Sequence, residues 1–290
     1  MTTKRKGETI MSRYVNPYTD FGFKRLFGEE ANKDLLIDFL NAFLPEKHRV
    51  ATLTLRGTEK LGVVTADRKA IYDVYCTAEN GEHFIVEMQK AKQKWFKDRA
   101  LFYAMFPIRE QAPQGLTDGG DWDYELTPVY LIAILGFEYD QKEERRKLQR
   151  NVTLKDQDGD SFYDKFELIF LQMPLFTKTE SELETRQDKW YYFLKNLASF
   201  EAIPAILREP VFERAFATAE IAAMSKDDVF QYEASLKVYR DNYAVMKTAI
   251  DDAKAEEKRE IARNLKKIGL GLAQIIEATG LSLEEVEGLK

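Results

Sequence analysis

The sequence predicts an α/β fold in which a strand-rich core flanked by helices is followed by a helical C-terminal region. Three observations support this. Residues 50–90 are dense in β-branched and aromatic runs, VYLIAILGF (129–137) is a continuous apolar stretch, and from about residue 180 nearly every segment carries an apolar stripe at helical spacing.

The elements follow in chain order. Residues 1–12 read as a flexible start. In YTDFGFKRLFGEEANKDLLIDFLNAFLP, Phe23, Leu26 and Phe27, then Leu35, Leu36, Phe39, Leu40 and Phe43, recur at the period of a helix or helix pair that ends at Pro45. VATLTLRG, KAIYDVYCTA and EHFIVEMQKA read as three strands, the last two flanking Glu79-Asn80-Gly81, a strong hairpin signal. WFKDRALFYAMFPIREQ reads as a helix bent before Pro107, because a proline nitrogen carries no proton to donate. TDGGDW is a loop, VYLIAILGF a strand buried on both faces, and FELIFLQMP another strand.

The composition shift near 180 divides the chain into a core over 13–180 and a helical extension over 181–290. At the C-terminus, Leu272, Ile275 and Ile276 form one stripe, Thr279-Gly280 interrupts it, and Ser282 with Glu285 has capping-box spacing. The result is a helix-turn-helix-like hairpin. Its final helix carries Glu284, Glu285 and Glu287, which repel phosphate, so packing or homo-oligomerisation is expected of these helices rather than base reading. On the preceding charged helix, Lys254, Lys258, Arg259, Arg263, Lys266 and Lys267 are largely balanced by acids and read as a solvated face.

Bulk properties narrow the function. Of the 290 residues, 43 are Lys or Arg and 49 are Asp or Glu, so the net charge of −6 argues against coating nucleic acid by charge alone; any DNA contact needs a local basic patch. The one cysteine, Cys76, excludes an internal disulfide and reads as a core residue, while His48 and His83 without further soft ligands argue against structural zinc. With no apolar run of membrane-spanning length and no signal core, a cytoplasmic protein with no membrane association is expected.

The chemistry centres on the hairpin. Phosphodiester hydrolysis needs a charge clamp on phosphate oxygens and an activated water, both of which Mg²⁺ held by carboxylates supplies, with Mn²⁺ as a substitute. A two-residue Asn80-Gly81 turn would set Asp73 against Met88, leaving it on the face opposite Glu87. A three-residue loop with a left-handed Gly81 instead pairs 78 with 82 and sets Asp73 against Glu87. That loop is the one predicted. Gln89 then shares the face of Glu87 and can orient a water, although an amide cannot serve as a general base. The Met88 carbonyl is a further candidate ligand, and parity directs Lys90 to the other face. An isolated D…E-x-Q is a weak pattern, and strand acids are most often solvent-facing. Here Ile71, Val74, Ile85 and Val86 mark partly buried strands, where unpaired acids are costly.

TDFGFKRLFG (19–28), YDVYCTAENGEHFIVEMQ (72–89), RALFYAMFPIREQ (99–111), KWYYFLKN and the tail IARNLKKIGLGLAQIIEATGLSLEEVEGL together resemble the Rpn family of recombination-promoting nucleases, also called PD-(D/E)XK nuclease family transposases. The resemblance covers nearly the whole chain. It implies a restriction-endonuclease-like (PD-(D/E)XK) core built on a mixed sheet and a metal-dependent DNA endonuclease tied to recombination or mobile elements. Asp73 and Glu87 would bind the metal, and Gln89 would stand where the motif more often has lysine. It also implies accessory or phosphate-contacting roles for Asp20, Lys24, Arg99, Tyr103 and Gln111; for Asp20 and Lys24 a solvated helix face is the competing reading. Because a neutral amide replaces lysine, a catalytically weak nuclease-fold module that binds nucleic acid or a protein is the alternative function.

Overall fold

The computed structural model describes residues 12–60, 70–112, 124–139 and 146–289. The flexible start over 1–12, apart from its last residue, and the TDGGDW loop fall outside them. The described chain divides into two compact units, Met1–Glu233 and Ala234–Lys290. The division does not coincide with the composition shift near 180, because the helices that follow the shift pack within the first unit.

The first unit is built on a six-stranded mixed sheet. Its strands are β1 (Leu53–Leu55), β4 (Val74–Ala78), β5 (His83–Gln89), β6 (Val129–Leu135), β7 (Gln149–Lys155) and β8 (Ser161–Gln172), in the spatial order β1-β4-β5-β6-β8-β7. Two short strands, β2 (Glu59–Lys60) and β3 (Ala70–Ile71), pair separately. The β5, β6 and β8 strands run parallel, whereas β1, β4 and β7 join antiparallel. The central β6 is buried along its whole length, as its apolar run requires. The edge strand β7 is mostly exposed and polar, which hides it from any apolar pattern.

One sheet face, with Tyr75, Ile85, Leu131, Ala133 and Phe170, packs on helix α3 (Phe96–Glu110) through Phe96, Ala100 and Ala104. The α3 helix runs continuously through Pro107. Proline removes the donor that would reach the carbonyl four residues back, at Tyr103, and the Tyr72 hydroxyl donates to that carbonyl at 3.0 Å instead.

Four further helices of this unit, α1 (Asp20–Phe27), α2 (Lys33–Phe43), α4 (Arg186–Asn196) and α5 (Pro210–Ala219), share an aromatic core. Trp190 is fully buried there against Phe27, Phe39, Phe193 and Phe212. Its indole N–H donates to Asp38 at 2.7 Å, and Arg186 grips the same carboxylate with two nitrogens, so the buried polar groups of α4 are satisfied.

Helix α6 (Lys226–Lys267) continues into the second unit, where α7 (Leu272–Thr279) and α8 (Leu283–Gly288) follow. Ala262, Ile275, Leu281 and Val286 form the core of this unit. Gly280 caps α7 at φ +67°, and Ser282 with Glu285 closes a capping box on α8, so the terminal hairpin has the anticipated break and cap.

Candidate active site

The register of the β4–β5 hairpin decides where its acids point. Val74 pairs with Val86, Tyr75 with Ile85, Cys76 with Phe84 and Thr77 with His83. The Ala78 N–H donates to the Glu82 carbonyl at 2.9 Å, and Gly81 sits at φ +86°, giving the three-residue loop with a left-handed glycine. Continued by one step, this register sets Asp73 against Glu87.

At that step the backbone ladder stops and the side chains take over. Asp73 lies between β3 and β4, outside either strand. Its N–H donates to Glu87 Oε1 at 3.2 Å, and its own Oδ2 accepts the Met88 N–H at 2.7 Å. Each carboxylate thus accepts a backbone N–H from the opposite arm of the hairpin where strand pairing ends. Gln89 donates its amide to Glu87 Oε2 at 3.1 Å, so both Glu87 oxygens are engaged. Ile71, expected to help bury this region, is exposed, and burial comes instead from Tyr72, Val74, Ile85 and Val86.

Glu87 is only 4% exposed. Burial, and next the charge of Asp73, push its carboxyl up to about 8, against the Asp73 N–H, Arg99 and Gln89, which favour the ionised form. The Asp73 carboxyl is also raised, first by burial, with Asp20 adding to the shift and the Met88 N–H, Lys24 and Lys90 opposing it.

The accessory candidates divide. Arg99 and Tyr103, one turn apart on α3, line a small cavity with Glu87, Gln89, Phe96, Ala100, Leu131 and Ala133. Its free volume of about 10 Å³ corresponds to roughly one water. Asp20 and Lys24, paired at 3.0 Å on α1, lie within electrostatic reach of Asp73 while staying largely solvated. Gln111 is not brought to the pair. At the far end of α3 its amide accepts the Thr127 N–H at 2.7 Å and donates to the Thr127 carbonyl at 3.2 Å, beside the hairpin loop. Its role here is to tie α3 to the segment entering β6.

Lys90 departs from the parity expectation. It follows the last residue of β5, where strand alternation no longer governs direction, and its ammonium interacts with Asp73 and Asp20. Gly136 holds this turn: its N–H donates to the Gln89 carbonyl at 2.8 Å, and a Cβ there would stand 2.6 Å from the Lys90 carbonyl oxygen. The sequence signal was Gly136 directly after the buried strand, where backbones approach closely.

Cys76 and the histidines are structural. Cys76 is buried on the sheet, and burial pushes its thiol up to about 12. His48 bonds Glu82 at 2.9 Å, and His83 bonds the Tyr75 hydroxyl at 2.6 Å.

Among the described residues no cluster of three or more His, Cys, Asp or Glu side chains forms a ready metal cage. The pair itself nonetheless suits a hard divalent cation. Its donors are all oxygens, and the two acids disfavour each other's ionised form, a cost that a cation between them would offset.

The PD-(D/E)XK nuclease family transposases match the chain over residues 17–249, a span that includes the whole sheet, both acids and α3. The chain belongs to this family. PD-(D/E)XK nucleases generally use divalent metal ions, and membership indicates a nuclease with DNA as its substrate class. The mixed six-stranded sheet with flanking helices agrees with such a PD-(D/E)XK domain. No curated protein and no solved structure matches the chain. No helix among the described residues is long and apolar enough to cross a membrane.

Proposed function

We propose that the chain is a metal-dependent DNA endonuclease that hydrolyses phosphodiester bonds at the Asp73–Glu87 pair. The observation that carries this reading is the interlocked pair at the broken end of the β4–β5 ladder, where two largely buried acids face each other beside an arginine.

In this reading Asp73, Glu87 and the Met88 carbonyl hold Mg²⁺, or Mn²⁺ in its place. The bound cation would supply a Lewis acid for the phosphate oxygens and lower the pKa of a coordinated water. Gln89 fixes the Glu87 carboxylate by its hydrogen bond and leaves room beside it for one water. Arg99 supplies a fixed positive charge next to Glu87, and Lys90 and Lys24 supply positive charge next to Asp73. These cations stand where negative charge develops on a phosphate under attack, which compensates for the neutral amide at position 89.

The test is nicking of supercoiled plasmid by the purified chain with Mg²⁺ or Mn²⁺. Asp73→Asn and Glu87→Gln should each abolish it, and equal cutting by both variants and the parent would overturn the assignment. One observation favours the second reading, a weak nuclease-fold module that binds nucleic acid or a protein: the Gln89 amide is engaged by Glu87 and brings no charge. DNA binding that Asp73→Asn leaves unchanged, with no cleavage under any divalent metal, would select it.

A role in recombination or mobile elements, in a cytoplasmic setting, belongs to the same proposal. So does homo-oligomerisation. Val238, Tyr243, Val245 and Ile250 leave exposed apolar side chains along α6 that a second helix could cover.

A further inference from the structure

A second concavity adjoins the acidic pair. Gln93, Lys94, Trp95, Asp98, Arg99, Phe102 and Tyr103 line a groove of about 620 Å³, within the range of roughly 300–1,000 Å³ typical of ligand sites. Its aromatic rings are presented to solvent: Trp95 is 67% exposed and Phe102 44%. Arg99, Phe102 and Tyr103 share one face of α3 at three- and four-residue spacing, with Trp95 at the helix start.

Two features say what such a groove takes. Cations lie against its rings, Lys94 5.2 Å from the Trp95 centroid and Arg99 4.8 Å from that of Tyr103, and the lining carries two positive charges against the single acid Asp98. In addition, Arg99 Nε is buried with no hydrogen-bond partner, although Nη1 donates to Gln93 at 3.1 Å. A buried guanidinium donor left unmatched calls for an anionic acceptor, and a phosphate oxygen suits it. Arg99 and Tyr103 also line the cavity beside Glu87 and Gln89, so the groove adjoins the proposed hydrolytic site.

We propose that this groove holds an unpaired base of the DNA strand next to the scissile phosphate, so that the substrate is single-stranded DNA or an unpaired tail. The assignment rests on the nuclease reading for its placement beside the cleaved bond. Bases inside a duplex are already stacked on their neighbours, whereas an unpaired base offers its face to Trp95 and Phe102 and its phosphate to Arg99. Stacking of this kind is tolerant of sequence, because every base has such a face.

The experiment measures binding of the full chain, without divalent metal, to a labelled single strand of about twelve nucleotides, to the matching blunt duplex, and to the same strand with abasic sites. Fluorescence anisotropy gives the affinities, and circular dichroism confirms that each variant is folded. The single strand should bind more tightly than the duplex. The double substitution Trp95→Ala/Phe102→Ala should weaken single-strand binding by about tenfold or more, and Trp95→Phe should restore most of it. Abasic sites should cost the parent a comparable factor and the double variant little.

Unchanged single-strand affinity in the double variant, indifference of the parent to abasic sites, equal affinity for the duplex, or failure to bind the single strand would each overturn the proposal. Because no cleavage is required, the two readings fail separately. Stacking-dependent binding with no cleavage of either the single strand or plasmid under Mg²⁺ or Mn²⁺ would sink the nuclease assignment alone, and cleavage without a stacking signature would sink the groove alone.

Discussion

Replacing Glu87 by Gln isolates the electrostatic cost of the acidic pair. Glu87 is almost wholly buried, and its carboxyl is raised from the ordinary 4.5 to about 8, chiefly by burial and then by the Asp73 charge. Between these values the folded metal-free protein keeps a proton that the unfolded chain has released, so stability falls as pH rises. The contribution is fully present below about pH 4.5 and is lost as the pH passes 8. At about 1.4 kcal/mol per pH unit, this window corresponds to a loss on the order of 5 kcal/mol. The Glu87→Gln side chain has no proton to lose and still offers a carbonyl to the Asp73 N–H, while Gln89 can turn its amide to accept from the new one. Urea unfolding in chelator from about pH 5 to 8 should therefore show a declining midpoint for the parent and a clearly flatter one for the variant. Adding Mn²⁺ near pH 8 should raise the parent's midpoint, corresponding to about 3 kcal/mol of unfolding free energy at a hundredfold excess over Kd, and leave the variant unmoved. Parallel pH curves, or equal stabilisation of both proteins by Mn²⁺, would refute the reasoning.

Other consequences follow from individual contacts. Tyr72→Phe strips the donor from the Tyr103 carbonyl that Pro107 leaves unmatched, and should lower stability by about 1–3 kcal/mol in urea unfolding. Lys90→Met, which keeps the aliphatic stem but removes charge beside Asp73, should cut plasmid nicking by about tenfold or more with little change in unfolding midpoint. Gly136→Ala should both destabilise the fold by about 1–3 kcal/mol and reduce nicking, because its Cβ would displace the Lys90 carbonyl. Gln111→Ala should lower stability without altering Mn²⁺ affinity, since its amide serves the Thr127 backbone.

Much of the fold was legible where burial imposes a period. The stripes of α1 and α2, the continuous run of β6 and the Ser282–Glu285 cap are local patterns with local causes. The hairpin register was legible from the acids rather than from the turn: Gly81 suits both a two- and a three-residue loop, and only the latter sets Asp73 against Glu87. The edge strand β7 was not legible. Gln149, Arg150, Asn151 and Lys155 look like loop residues, and only pairing with β8 makes them a strand. Nor does parity reach beyond a strand's last residue, which is why Lys90 was directed away from the site that it approaches. Gln111 lies in a segment that resembles the family, yet its amide answers to a backbone that arrives only when β6 is in place. The opposition of the two acids was visible in the register, while their capture of the Asp73 and Met88 N–H groups depends on Asp73 leaving the strand.

The account turns on whether the Asp73 and Glu87 carboxylates share one divalent cation. Anomalous diffraction from crystals of the full chain grown with Mn²⁺ tests this most directly. A single manganese peak bonded to an oxygen of each acid, at about 2.0–2.3 Å as expected for a small hard cation, is the predicted result. No peak at the pair, or a manganese ion bound to one acid while the other keeps its backbone hydrogen bond, would contradict it.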